Sequence, residues 1–135
     1  LTGWMGYVAK PAGTLANLYH YNRGYPVCGR SNSPDDCVDG ALYGDVKECE
    51  LAQYNFIENG WNTVVRFNCD ISGGHSGSPL YHYHNNGNNL VPVVSSVVVW
   101  EHCFTCDADD NFINTAKRLT PSDISIISFF RQWKP

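Results

Sequence analysis

The residues best suited to chemistry lie in one short stretch, Ile71 to Tyr81, written ISGGHSGSPLY. Ser76 stands there with Gly73 and Gly74 before it and Gly77 after it. A serine hydroxyl is a weak nucleophile until a base takes its proton. Acyl transfer also needs donors aimed at a developing oxyanion, usually backbone N–H groups. Glycines on both sides let the chain turn tightly, and alternate amides of a tight turn converge on one point. The N–H groups of Gly74 and Ser76 are therefore the expected oxyanion hole. Gly/Ser turns are also ordinary loop chemistry, but Ser78-Pro79 leading into an apolar strand makes this one more specific. The strand–turn–helix elbow G-x-S-x-G does not fit. Ser78 stands where its second glycine belongs, Pro79 leads into a strand, and no histidine follows Asp107.

The elements that must position this loop read as β-strands. Trp4 to Val8 is a first short strand, stopped by Lys10-Pro11-Ala12-Gly13, and the aromatic-rich Leu15 to Tyr21 is a second. Cys28 to Gly40 is turn chemistry throughout, a surface loop stapled by its own two cysteines. Leu42 to Val46 and Glu50 to Phe56 are weaker strands, Glu58-Asn59-Gly60 is a hairpin turn, and Thr63 to Phe67 is strand-like. After the serine loop, Leu80 to Tyr83, a polar tip Asn85 to Asn89 and the apolar run Leu90 to Trp100 give the strongest hairpin signal in the chain. Thr120-Pro121-Ser122-Asp123 starts a helix expected over about 121–133. Ile124, Ile127, Phe130 and Trp133 form one apolar stripe along it. The expected fold is all-β, a single domain over 1–135 built as an antiparallel barrel or sandwich and closed by the C-terminal helix.

The bulk numbers bound the function. One domain of 135 residues carries 9 basic and 13 acidic side chains, a net charge of -4, with no basic run for a nucleic acid. No run of about 18 apolar residues offers a membrane span. Charged residues are only 16% of the chain, while Gly, Asn, Ser, Tyr and Trp are plentiful, which suits a loop-rich secreted β protein. Six cysteines (Cys28, Cys37, Cys49, Cys69, Cys103 and Cys106) point to three disulfides and an oxidising, extracellular compartment. They allow fifteen pairings; proximity favours Cys28–Cys37 and leaves Cys49–Cys69 with Cys103–Cys106 as the remainder. Leu1 opens in strand-like sequence without a basic and apolar leader, so a secreted chain of this kind is expected to be trimmed or cut from a precursor.

GGHSGSP, with Asp70 six residues before Ser76, resembles the nucleophile loop of the chymotrypsin-like serine endopeptidases, in the D-x-x-G-G-x-S-G-S-P form of the bacterial V8-like (glutamyl-endopeptidase-like) branch. Leu1 to Tyr7 is similar to the strand that opens the second barrel in that branch. Val97 to Trp100 is similar to the strand that pairs with substrate backbone, and Asn111 to Asn114 with the terminal helix is similar to the family's ending. The resemblance implies a six-stranded β-barrel, Ser76 as nucleophile, and no cofactor or metal. It implies a substrate cleft lined by Asp70, Ile71, Ser72, Gly73, Val98, Val99, Trp100 and Glu101. It also implies the chain order His, Asp, Ser, with the first two on a preceding barrel. The expected partner is then an N-terminal barrel chain, cut from the same precursor, that supplies the catalytic histidine and aspartate to a polypeptide substrate.

An internal triad is the alternative: His20, then Asp35, Asp36, Asp39 or Asp45, then Ser76. The context Leu18-Tyr19-His20-Tyr21 is unlike the family's small-residue setting for that histidine. His82 and His84 read as surface or groove residues, and His102 as a residue of the pocket rim. His75 occupies the position where the mammalian branch has an aspartate that pairs with a new N-terminus, a role an imidazole does not fill. Asp70 is where trypsin-like enzymes keep the carboxylate that receives Arg or Lys, although in the V8-like branch such an aspartate can be structural. Glutamyl specificity fits less well, because Val99 stands where those enzymes have a histidine. Glu101 can narrow the pocket mouth or favour cations.

Two rivals belong to other classes. Cys103 to Cys106 is a C-x-x-C that Cys28 and Cys37 would have to complete as a zinc site. A non-catalytic protease-fold binding module would use the groove with Tyr19, Tyr21, Tyr81 and Tyr83, against which stands ordinary barrel packing of the same tyrosines.

Overall fold

A computed structural model describes residues 5–29, 36–44, 48–51, 56–58, 61–69, 71, 73–100 and 114–132. The chain is mostly β with a C-terminal helix. In chain order the elements are β1 (Gly6–Tyr7), α1 (Ala12–Leu15), β2 (Tyr21–Gly24), β3 (Tyr43–Gly44), β4 (Phe56–Glu58), β5 (Trp61–Phe67), β6 (Pro79–Asn85), β7 (Leu90–Trp100), β8 (Asn114–Arg118) and α2 (Pro121–Gln132). The strands form an open antiparallel sheet in the order β3-β2-β6-β7-β8-β5-β4. β1 departs from the antiparallel expectation: it lies parallel to β7, Gly6 opposite Val93 and Tyr7 opposite Val94.

The β6–β7 hairpin is the backbone of the sheet. Its register runs from Asn85 opposite Leu90 to Pro79 opposite Val97, with a shift between Leu80 and Tyr81. Pro79 opens β6, the position at which a strand tolerates a residue without an N–H. The tip turns at Gly87, whose φ of 95° is left-handed, and the expected polar tip is in place.

Residues 48–51 form no strand and lie between the segment just before β2 and the end of β5. Cys49 bridges His20 and Leu51 bridges Phe67, with His20 and Cys49 exchanging both backbone hydrogen bonds at 2.9 and 2.8 Å. The Cys49–Cys69 disulfide reinforces the β5 side. These residues belong to the core, which gathers Ala12, Leu15, Leu51, Val65, Phe67, Leu80, Val98 and Ala116 around the two half-cystines. Removing a fully enclosed side chain such as Phe67 or Leu15 from water contributes about 1.5–3 kcal/mol.

The expected strand over Leu15 to Tyr21 is corrected. Ala12–Leu15 is a helical turn and the strand begins only at Tyr21. Pro11 pre-sets its own φ, and its carbonyl accepts from the amides of Thr14 and Leu15 at 3.0 and 3.1 Å. Ala12 and Leu15 then face the core together, the i, i+3 spacing of a helix.

α2 starts where expected. Thr120 and Asp123 cap each other reciprocally: the Thr120 amide donates to Asp123 Oδ2 at 2.8 Å and the Asp123 amide donates to Thr120 Oγ1 at 3.3 Å. The Lys117 ammonium and the Thr120 groups hold the Asp123 carboxyl down at about 2. The apolar stripe is placed differently from a core-facing helix. No side chain of α2 is fully buried, and Ile127 and Phe130 are exposed. The Tyr7 hydroxyl meets Ser128 Oγ at 3.2 Å.

Candidate active site

The serine loop is a tight turn placed between β2 and β7. The Ser78 amide donates to the His75 carbonyl at 2.8 Å, closing a four-residue turn with Gly77 third at φ 87°. A positive φ there is what a type II turn demands, and only glycine adopts it freely. Ser76 is second in the turn and exposed to solvent.

Both flanks are fastened. On the β7 side, the Gly77 amide donates to the Val98 carbonyl at 2.8 Å and the Val98 amide to the Ser78 carbonyl at 2.9 Å. On the β2 side, the Val27 amide donates to the Gly73 carbonyl at 2.6 Å. Gly74 presses against the same segment. A Cβ there would lie 2.5 Å from the Tyr25 oxygen and 2.7 Å from the Val27 nitrogen, and its φ is 104°. Asn22, buried in β2, donates from Nδ2 to Ser78 Oγ at 2.8 Å and to the Pro79 carbonyl at 2.9 Å. The amides of Gly77 and Ser78 are thus committed to carbonyls, and neither belongs to the expected oxyanion pair.

The expected site residues divide as follows. Gly73 and Gly74 lead directly into the turn that carries Ser76. Ile71 is half-buried and packs on the core. The Val98 side chain is buried in that core, so Val98 offers the site its backbone, while Val99 is exposed. Trp100 pairs with Thr115 through its backbone. Asp70, Ser72, Glu101, His102, Cys103, Cys106, Asp35 and Asp45 lie outside the described residues.

The histidines are not where a surface reading puts them. His82 is buried, a correction, and His84 on the same strand is exposed. The cause is register: Tyr21 opposite Tyr81 and Asn22 opposite Leu80 carry His20 to a position facing His82. Their rings meet edge-on at 5.4 Å between centroids, with His20 0% and His82 2% exposed. His20 Nδ1 donates to the Leu18 carbonyl at 2.9 Å, since a carbonyl can only accept. Burial first and the neighbouring His82 second push His20 down to about 4. Burial, then Lys10 and His84, push His82 down to about 4. Asp36 and Asp39, which an internal triad would enlist, are exposed, Asp36 within the loop closed by Cys28–Cys37 and Asp39 just after it, and the Asp39 carboxylate accepts from the Cys28 amide.

Two disulfides, Cys28–Cys37 and Cys49–Cys69, are formed among the described residues, as an oxidising compartment allows. The first removes Cys28 and Cys37 from the zinc reading. No group of three or more His, Cys, Asp or Glu arranged for a metal ion occurs among the described residues, and none of their helices is long and apolar enough to cross a membrane. Tyr21, Tyr81 and Tyr83 form a cluster, Tyr21 stacked on Tyr81 at 5.7 Å and edge-on to Tyr83 at 5.5 Å. Tyr81 is buried within it, Tyr83 exposed.

Asn22 and Gly24 are the positions against the serine turn that sequence reasoning missed. Their partners lie some 50 residues downstream in the serine turn, and no local pattern marks them. No family model, curated protein or solved structure matches the chain.

Proposed function

We propose that this chain is the nucleophile-bearing half of a secreted, chymotrypsin-like serine endopeptidase. The observation that carries the reading is the serine turn. Ser76 stands exposed at its tip, Gly74 has both a left-handed φ and no room for a side chain, and the turn is fastened on two sides. Such pre-organisation is what oxyanion stabilisation requires, because donors fixed beforehand cost no reorganisation when charge develops.

In this reading residues 48–51 complete a six-stranded barrel, with their bridges to His20 and Phe67 as its seam. The base and its orienting carboxylate come from an N-terminal barrel chain of the same precursor. The imidazole takes the proton of Ser76 Oγ as that oxygen bonds to the scissile carbonyl carbon. The carbonyl electrons move to the oxygen, held by the N–H groups of Gly74 and Ser76. The imidazolium then protonates the departing amine, leaving an acyl-enzyme, and a water deprotonated by the same imidazole releases the acid. Beyond Val98, the β6-side edge of β7 at Val99 and Trp100 pairs with the extended substrate. Asp70 either receives a cationic side chain or is structural.

Ser76→Ala tests the reading: peptide hydrolysis by the native two-chain material should fall about a millionfold with its circular dichroism unchanged, and unchanged turnover would sink it. Asp70→Ser should lower kcat/KM for Arg and Lys substrates far more than for others. An equal loss on all substrates would make Asp70 structural.

The tyrosine cluster favours one second reading, a protease-fold binding module that recognises partners without cleaving them. It predicts that Ser76→Ala leaves partner binding intact and that no turnover exists to lose.

A further inference from the structure

What lies beneath the serine turn is a niche in β2. His75 sits between two exposed residues, Gly74 and Ser76, yet is only 4% exposed. Its ring rests on the backbone of Gly24. A Cβ on Gly24 would come 2.5 Å from His75 Cδ2, 3.0 Å from its Cγ and 3.1 Å from Ser78 Cβ. Gly24 has no positive φ, so the backbone conformation does not require glycine there; the imidazole does. Asn22, two residues earlier on the same strand, ties Ser78 and Pro79 from the other end of the turn. The turn is therefore gripped by β2 at His75, directly before Ser76, and at Ser78, two residues after it.

We infer that His75 is a positioning residue for Ser76: its imidazole, seated in the niche left by Gly24, fixes the turn and thereby the direction of Ser76 Oγ and of the Ser76 N–H. The inference rests on the proposed function in so far as Ser76 is the reacting group; the seat itself does not. An error of about 1 Å in the placement of a reacting atom costs roughly a hundredfold in rate, so a seat this close governs reactivity without touching substrate.

The test uses the native material carrying Gly24→Ala, His75→Ala or both. It reads the rate constant for labelling by a fluorophosphonate and the hydrogen-exchange rates of the Gly77 and Ser78 amides. Gly24→Ala should slow labelling about a hundredfold and speed exchange at both amides. In peptide turnover it should lower kcat and leave KM nearly unchanged. His75→Ala should slow labelling about tenfold, as a loosened turn samples wrong placements. The double variant should label at least tenfold faster than Gly24→Ala alone, because removing the ring makes room for the added methyl. That rescue is what a merely destabilising substitution would not give. A double variant no faster than Gly24→Ala, or His75→Ala labelling at the unsubstituted rate, would overturn the inference. If Gly24→Ala does not fold, His75→Ala, which adds no volume, decides by the same measure. If even the unsubstituted protein takes no label, the hydrolase reading fails. The exchange rates then decide the seat alone: faster in Gly24→Ala and restored in the double variant upholds it, and unchanged rates reject it.

Discussion

β6 runs between two glycine turns that look alike in sequence and are built in opposite ways. The tip after Asn85 is held by itself. Asn85 Oδ1 accepts from the Gly87 amide at 2.9 Å, and Asn86 Oδ1 accepts from the amides of Asn88 and Asn89 at 3.2 and 2.9 Å. A Cβ on Gly87 would meet nothing within 4 Å. The turn before Pro79 is held from outside, by the Val27 amide, by both polar groups of the Val98 backbone and by Asn22. A Cβ on Gly74 would strike the backbone of Tyr25, Pro26 and Val27. Asparagine side chains satisfy a turn locally and need no neighbour. A turn that presents one hydroxyl in a fixed direction needs walls, and β2 and β7 supply them.

Substitutions at the two glycines sharpen this contrast. Gly74→Ala should be the most damaging, because it forces both a left-handed alanine and a backbone clash. With the Gly74 N–H as the proposed oxyanion donor, its displacement should slow fluorophosphonate labelling by about 10²–10³-fold, and overpacking should cost about 1–3 kcal/mol of stability in urea titration. Labelling unchanged by Gly74→Ala would break the comparison. Gly87→Ala should have the smallest effect. A left-handed alanine costs about 1–2 kcal/mol, read as a lower urea midpoint, with the labelling rate untouched. A large loss of labelling there would show that the tip is not independent of the serine turn.

Between the two turns, where His82 faces His20, a pH effect is expected. Both imidazoles are pushed down to about 4 in the folded chain, against roughly 6.5 when unfolded. The unfolded state therefore binds protons first as pH falls. The stabilisation by the neutral rings is fully present above about pH 6.5 and is lost as pH drops through about 4. For one histidine the change amounts to about 3 kcal/mol. Urea midpoints at pH 7, 5.5 and 4.5 should fall steadily, and His82→Phe should flatten the profile. A midpoint unchanged over that span would mean that these rings are charged or solvated in the fold.

Much of this molecule is legible from its sequence where the determinants are local. The β6–β7 hairpin, the Thr120–Asp123 helix start and the Cys28–Cys37 staple follow from periodicity, turn residues and proximity. The glycine pattern around Ser76 marks its turn in the same way. Where pairing partners decide, the sequence is silent. Tyr81-His82-Tyr83-His84 alternates two residue types that are each half polar, yet Tyr81 and His82 on opposite faces are both buried and Tyr83 and His84 both exposed, so burial follows how far along β6 its neighbours reach rather than the alternation. Leu15 to Tyr21 carries strand-like aromatics, yet Pro11 starts a helical turn before them. Residues 48–51 gain their place through two isolated bridges and a disulfide, none of which has a local signature. The spacing of Ile124, Ile127 and Phe130 is helical as read, but spacing alone does not say that Ile127 and Phe130 stay exposed.

The most direct measurement is the intact mass of native, non-reduced material before and after a fluorophosphonate, with the adduct mapped by peptide sequencing. The expected result is a second polypeptide beside this chain and a single adduct on Ser76. Folded two-chain material that never takes the probe, or takes it at another residue, would contradict the assignment of Ser76 as the nucleophile of a serine endopeptidase.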